Sequence, residues 1–88
     1  MTVGIENELP SESVQINILP NPAKNQVIIK SKQLMKRITI CSIEGEEFFV
    51  RQTELREILV DVSGFVPGIY LVRVETISGV VVKKLVVK

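Results

Sequence analysis

The 88 residues are enough for one domain, and with 45% apolar residues that domain can have a real core of Val, Ile and Leu, because Trp is absent and the only aromatics are Phe48, Phe49, Phe65 and Tyr70. A formal charge of +1 argues against a nucleic-acid binder and against an enzyme for acidic substrates. The absence of histidine removes the commonest general base and zinc ligand together, while a lone Cys41 allows no intrachain disulfide and reads as a small buried hydrophobe.

Residues 1–13 carry Glu6, Glu8 and Glu12 with no basic residue, so they are read as an acidic, flexible, solvated linker. The opening Met1-Thr-Val-Gly-Ile-Glu6 has neither the basic nor the apolar region of a signal peptide, and no apolar run reaches the roughly 20 residues of a membrane span. From Val14 onward period-two alternation replaces any helical period. Val14, Ile16 and Ile18 predict a first strand, which Pro20-Asn21-Pro22-Ala23 ends, since proline cannot donate to a ladder and Asn favours turns. Val27–Lys30 predicts a second strand, and the polar Ser31–Gln33 leads to a third over Arg37–Ile43. Gly45 offers the positive φ of a tight hairpin, and Phe48–Gln52 is the returning strand. Another polar stretch precedes Ile58–Val62. Pro67-Gly68 has the residues of a type II turn, followed by the strand of Tyr70, Val72 and Val74. Ser78-Gly79 makes the last turn, into the strand Val80–Val87. Short strands punctuated in this way predict an all-β fold, an antiparallel β-sandwich of about seven strands over residues 14–88.

The last strand has no clean polar face. Val80, Val82, Lys84, Val86 and Lys88 share one side; Val81, Lys83, Leu85 and Val87 share the other. Periodicity does not say which side points inward. Either the strand is buried on one face with valines left outside, or its outer face or free edge meets a partner.

No catalytic constellation is present: without histidine there is no Ser/His/Asp or Cys/His arrangement, and the five glycines are scattered singly at turns rather than gathered into a phosphate loop. Glu44, Glu46 and Glu47 could hold a hard cation but are equally explained as a solvated hairpin tip. Lys83 and Lys84 could be a recognition patch or an edge strand's protection against aggregation. No enzyme activity, cofactor, metal, nucleic acid or small-molecule substrate is expected.

The ordinary pieces become specific in their order. Leu19-Pro-Asn-Pro-Ala23 follows the first strand; then come Val27-Ile-Ile29, Ile38-Thr-Ile40 and Gly45. Ile58-Leu-Val60 precedes Pro67-Gly-Ile-Tyr70 and Val72-Arg-Val74, and the chain closes on Gly79 and Lys83-Lys-Leu-Val-Val-Lys88. This order resembles the type A C-terminal sorting domain of the type IX (Por) secretion system of Bacteroidetes, from about Val14 to Lys88. Cys41-Ser42 stand where that family usually has an aromatic residue and Asp or Asn, and Val82 where many members have Thr.

The resemblance implies an immunoglobulin-like fold borne on a larger cargo protein that lies N-terminal to it. It implies a cleaved N-terminal signal, transit through the periplasm, passage through the outer-membrane translocon, and removal by a sortase-like peptidase that anchors the cargo at the cell surface. The residues it marks for recognition by the export machinery are Lys83, Lys84, Val86, Val87 and Lys88. Pro20, Asn21, Pro22, Ala23, Gly45, Gly68, Tyr70 and Gly79 are the motif and turn positions. The competing readings are an adhesive or carbohydrate-binding sandwich module, which the absence of Trp disfavours, and a passive spacer, which would leave residues after the last strand for a following domain.

Overall fold

A computed structural model describes residues 15–88; the linker assigned to 1–13, and Val14, lie outside the described residues. The chain folds as five antiparallel strands: β1 (Ile16–Leu19), β2 (Gln26–Ser42), β3 (Glu47–Asp61), β4 (Gly68–Thr76) and β5 (Gly79–Val87). They form one curled sheet in the order β1-β2-β4-β5, with β3 on β2. β3 runs along one edge of β2, from Gln26↔Asp61 to Cys41↔Glu47, while β1 and β4 take successive stretches of the other, at residues 28–31 and 35–42.

Five strands replace the seven expected because the two polar stretches do not break the ladder. Ser31–Gln33 continues β2, and the polar run before Ile58 continues β3. What happens there instead is a bend. The β2/β3 register shifts between Lys30 and Met35 and again between Met35 and Arg37, and the β2/β4 register shifts at the same second place. An extra residue in one strand reverses which residues face inward. Hence Val27, Ile29 and Met35 are buried at odd positions, Lys36 and Arg37 are both exposed, and Ile38 and Ile40 are buried at even ones. The bulge keeps all five apolar side chains on the core side of a strand that curves. Arg56 Nε donates to Lys32 C=O at 3.2 Å and ties β3 across the irregular stretch.

The core is a single cluster. Ile16, Ile18, Val27, Ile29, Ile58, Val60 and Val62 come from the β1 end of the sheet, and Ile38, Ile40, Tyr70, Val72, Val74, Leu85 and Val87 from the β5 end. Each fully buried Val, Leu or Ile contributes about 1.5–3 kcal/mol, so this cluster is the chief source of stability. Among the described residues no helix is long and apolar enough to cross a membrane.

Gly45 turns β2 into β3 at φ 99°, and Gly79 follows the Ile77-Ser78 turn at φ 143°. Gly68 differs from expectation. It is the first residue of β4, paired with Val87, and its φ of 158° lies close to extended backbone rather than at the roughly +80° of a type II turn. The change of direction falls earlier, at Ser63-Gly64, where Ser63 N–H and Oγ–H both donate to Asp61 Oδ1 at 2.9 and 2.7 Å. Those two bonds hold the Asp61 carboxyl below its ordinary pKa.

Candidate functional site: the last strand and the proline corner

β5 pairs with β4 without interruption from Gly68↔Val87 to Thr76↔Gly79. This settles the question that periodicity left open. Leu85 and Val87 are buried and Val81 half-buried, so the odd-numbered face is the inner one. Lys83 lies on that same face yet is exposed. Val80 and Val82 stay 51% and 54% exposed on the outer face beside Lys84, and Val86 is half-buried there.

The chain between β1 and β2 returns to this strand. Both X–Pro bonds of the corner, Leu19–Pro20 and Asn21–Pro22, are cis. Asn21 places its carboxamide against the free edge of β5: Nδ2 donates to Lys84 C=O at 3.0 Å, and Oδ1 accepts from Val86 N–H at 3.0 Å. A carboxamide offers the same donor and acceptor as a peptide group, so one side chain stands in for a neighbouring strand. Ala23 continues the pairing with its backbone. Its N–H donates to Val86 C=O and its C=O accepts from Lys88 N–H, both at 2.7 Å, in a parallel bridge to Val87. Ala23 is fully buried. Pro20 and Pro22 bring no N–H that would need a partner here.

The motif positions and the C-terminal strand, 63 and 65 residues apart at the Asn21 contacts, are therefore one piece of structure. Asn21, which the sequence marks as a turn former, bonds backbone that is near in space and far along the chain. Nothing in the order of residues names β5 as its partner. Of the five residues marked for recognition, Val87 is buried and serves the core, Val86 is half-buried, and Lys83, Lys84 and Lys88 present accessible side chains. Among the described residues neither Lys83 nor Lys84 is in an ion pair. A shallow groove lined by Ile16, Ile18, Asn21, Lys83 and Lys84 separates β1 from β5.

Away from this edge, Tyr70 is buried with its hydroxyl donating to Val66 C=O, and its ring packs against Phe48 and Phe65 with centroids 5.6 and 5.1 Å away. The aromatics are thus spent largely on one another. At the β2–β3 tip, Ser42 N–H donates to Glu46 C=O and Glu46 N–H to Ser42 Oγ. Among the described residues no three acidic, Cys or His side chains converge as metal ligands would, and Glu44, Glu46 and Glu47 are exposed at this tip.

The described structure is thus an all-β domain whose last strand is clamped by a Pro-Asn-Pro corner. The model of the secretion system C-terminal sorting domain matches residues 17–88, and the chain belongs to that family, the sorting domains of type IX secretion. No curated protein matches the chain. A domain of this family marks the protein that carries it as cargo of the type IX machinery, for export to the cell surface or the medium.

Proposed function

We propose that this domain is a non-catalytic address, read by the outer-membrane translocon through the exposed side chains of β5, above all Lys83, Lys84 and Lys88. The observation that carries this is the corner. By binding Lys84, Val86 and Lys88 through four hydrogen bonds it holds the end of β5 as a fixed strand, so its lysines project from defined places. On this reading the cargo passes through the periplasm, and a sortase-like peptidase cuts upstream of β1 and anchors the cargo at the surface. A polar segment there would suit a protease cleft. The finer fold is an immunoglobulin-like sandwich, made as the two halves of β2 and β3 fold over each other at the bulge. Tyr70, near the start of β4 with its hydroxyl on backbone four residues upstream, matches the tyrosine corner of such folds.

The test fuses residues 1–88 to a fluorescent reporter with a periplasmic signal in a type IX-competent host. The wild-type domain should bring the reporter to the surface or medium. Lys83→Glu combined with Lys84→Glu, both at exposed positions, should fold with an unchanged melt and leave the reporter in the periplasm. Equal export of the two would refute a lysine-based address.

A further inference from the structure

The corner closes only part of the β5 edge. Lys84 C=O, Val86 N–H and C=O, and Lys88 N–H all point toward it. In an antiparallel strand the outward backbone groups belong to alternate residues, and the β4/β5 register has no shift. The N–H and C=O of Val80 and Val82, and the N–H of Lys84, therefore point outward as well. No hydrogen bond to these groups is found among the described residues. The result is a short open edge, bounded by the Gly79 turn on one side and the corner on the other.

Its flanks are chemically distinct. Val80 and Val82 lie half-exposed on the outer face with Lys84, and Lys83 projects from the opposite face beside the groove against β1. An exposed charge on the inner face of an edge strand opposes indiscriminate pairing. It also opposes a second copy of this chain. A two-fold pair centred on Val82 would set Lys84 opposite Val80 and Lys83 opposite Val81, gathering four unpaired cations in one ribbon. A strand with two consecutive acidic residues meets the edge differently. Successive side chains point to opposite faces, so one carboxylate reaches Lys83 and the next reaches Lys84, with apolar neighbours covering Val80 and Val82.

We infer that the Val80–Lys84 edge is a strand-addition site for an extended partner segment bearing adjacent acidic residues, docked up to the corner and no further. This deepens the export reading, resting on it only for where the partner is met. The binding itself is testable with the purified domain.

The probe is a short end-blocked peptide, Thr-Val-Thr-Glu-Glu-Val-Thr-Val, with a Lys-Lys version as control, followed by NMR amide exchange. The acidic peptide should slow exchange at Val82 and Lys84 by roughly tenfold or more, as ladder pairing does, and the basic one should not. Raising salt to about 0.5 M should weaken the protection by screening the lysines. Val82→Pro removes an outward N–H that no strand uses, so the domain should fold and lose the peptide. Lys83→Glu with Lys84→Glu should reverse the preference, and carries the test should the proline variant fail to fold. Absence of protection by the acidic peptide, or binding indifferent to both variants, overturns the inference. So does protection without peptide that grows with domain concentration, since the edge would then belong to a second copy. Peptide binding lost in Val82→Pro, with reporter export intact, would leave the strand-addition site standing and remove its link to export.

Discussion

At Asn21 a single carboxamide meets two backbone groups of β5, and both contacts are solvent-exposed. Water can therefore take over part of what is lost on mutation, and the net value of such bonds is about 1 kcal/mol in total rather than each. Asn21→Ala should lower the melting midpoint by roughly 4–8 °C, the shift that such a loss produces in a domain of this size. The thermal melt checks it, and an unchanged midpoint would show that the carboxamide adds no stability. The glycines divide in the same way. At Gly45 and Gly79 nothing stands within 4 Å of an added Cβ, so the cost of alanine is backbone conformation alone, about 1 kcal/mol each. Gly68→Ala should cost less, because its φ of 158° is nearly extended. Comparing the three melts tests this ordering, and a larger loss at Gly68 would contradict it. Asp61 supplies a pH dependence. Its folded pKa is lowered by Ser63, so it binds fewer protons folded than unfolded. Its contribution is present above the ordinary value of 3.8 and fades as pH falls through the lower folded value. Asp61→Asn should lower stability slightly at neutral pH, where that contribution is present, and converge with the wild type at low pH, flattening the acid side of a stability–pH curve.

β5 and β2 show how far strand patterns could be read from residue order. The alternation of Ile16/Ile18, Val27/Ile29, Val72/Val74 and Leu85/Val87 was legible because each set lies on the inner face. The all-β class followed from it. Strand number was not legible, because Ser31–Gln33 and the stretch before Ile58 are polar for reasons other than being loops. Thr53–Glu57 lies in a part of β3 that is exposed on both faces, apart from a half-buried Thr53, and Ser31–Arg37 surrounds a bulge. A bulge leaves no mark in period-two counting except a change of phase, as between Met35 and Ile38. The inner face of β5 was hidden for a related reason: Lys83 occupies an inward position at the edge. On the candidate site, the sequence singled out both the corner and the last strand, and only three-dimensional pairing joins them. Removing Val86–Lys88 should accordingly do more than erase a terminus. It deletes buried Val87 and three of the four corner bonds, so a loss of about 2–4 kcal/mol is expected. Denaturant unfolding of the truncated domain checks this. Export assays on such a truncation report folding as well as recognition.

For the whole molecule, the join between the corner and β5 sets an order of events. The β2–β3 hairpin and the β4–β5 hairpin link neighbours in sequence and can form as soon as each has been made. Asn21 and Ala23, by contrast, find their partners only among residues 84–88. During vectorial synthesis the corner, made early, must wait for the end of β5. A prematurely terminated polypeptide therefore never closes this clasp, and the open and clasped forms differ at the very surface on which an address would be written. On the proposed reading the latch would couple display of the address to completion of the domain, so that a receptor selective for the clasped form would pass over unfinished chains without any separate means of inspection.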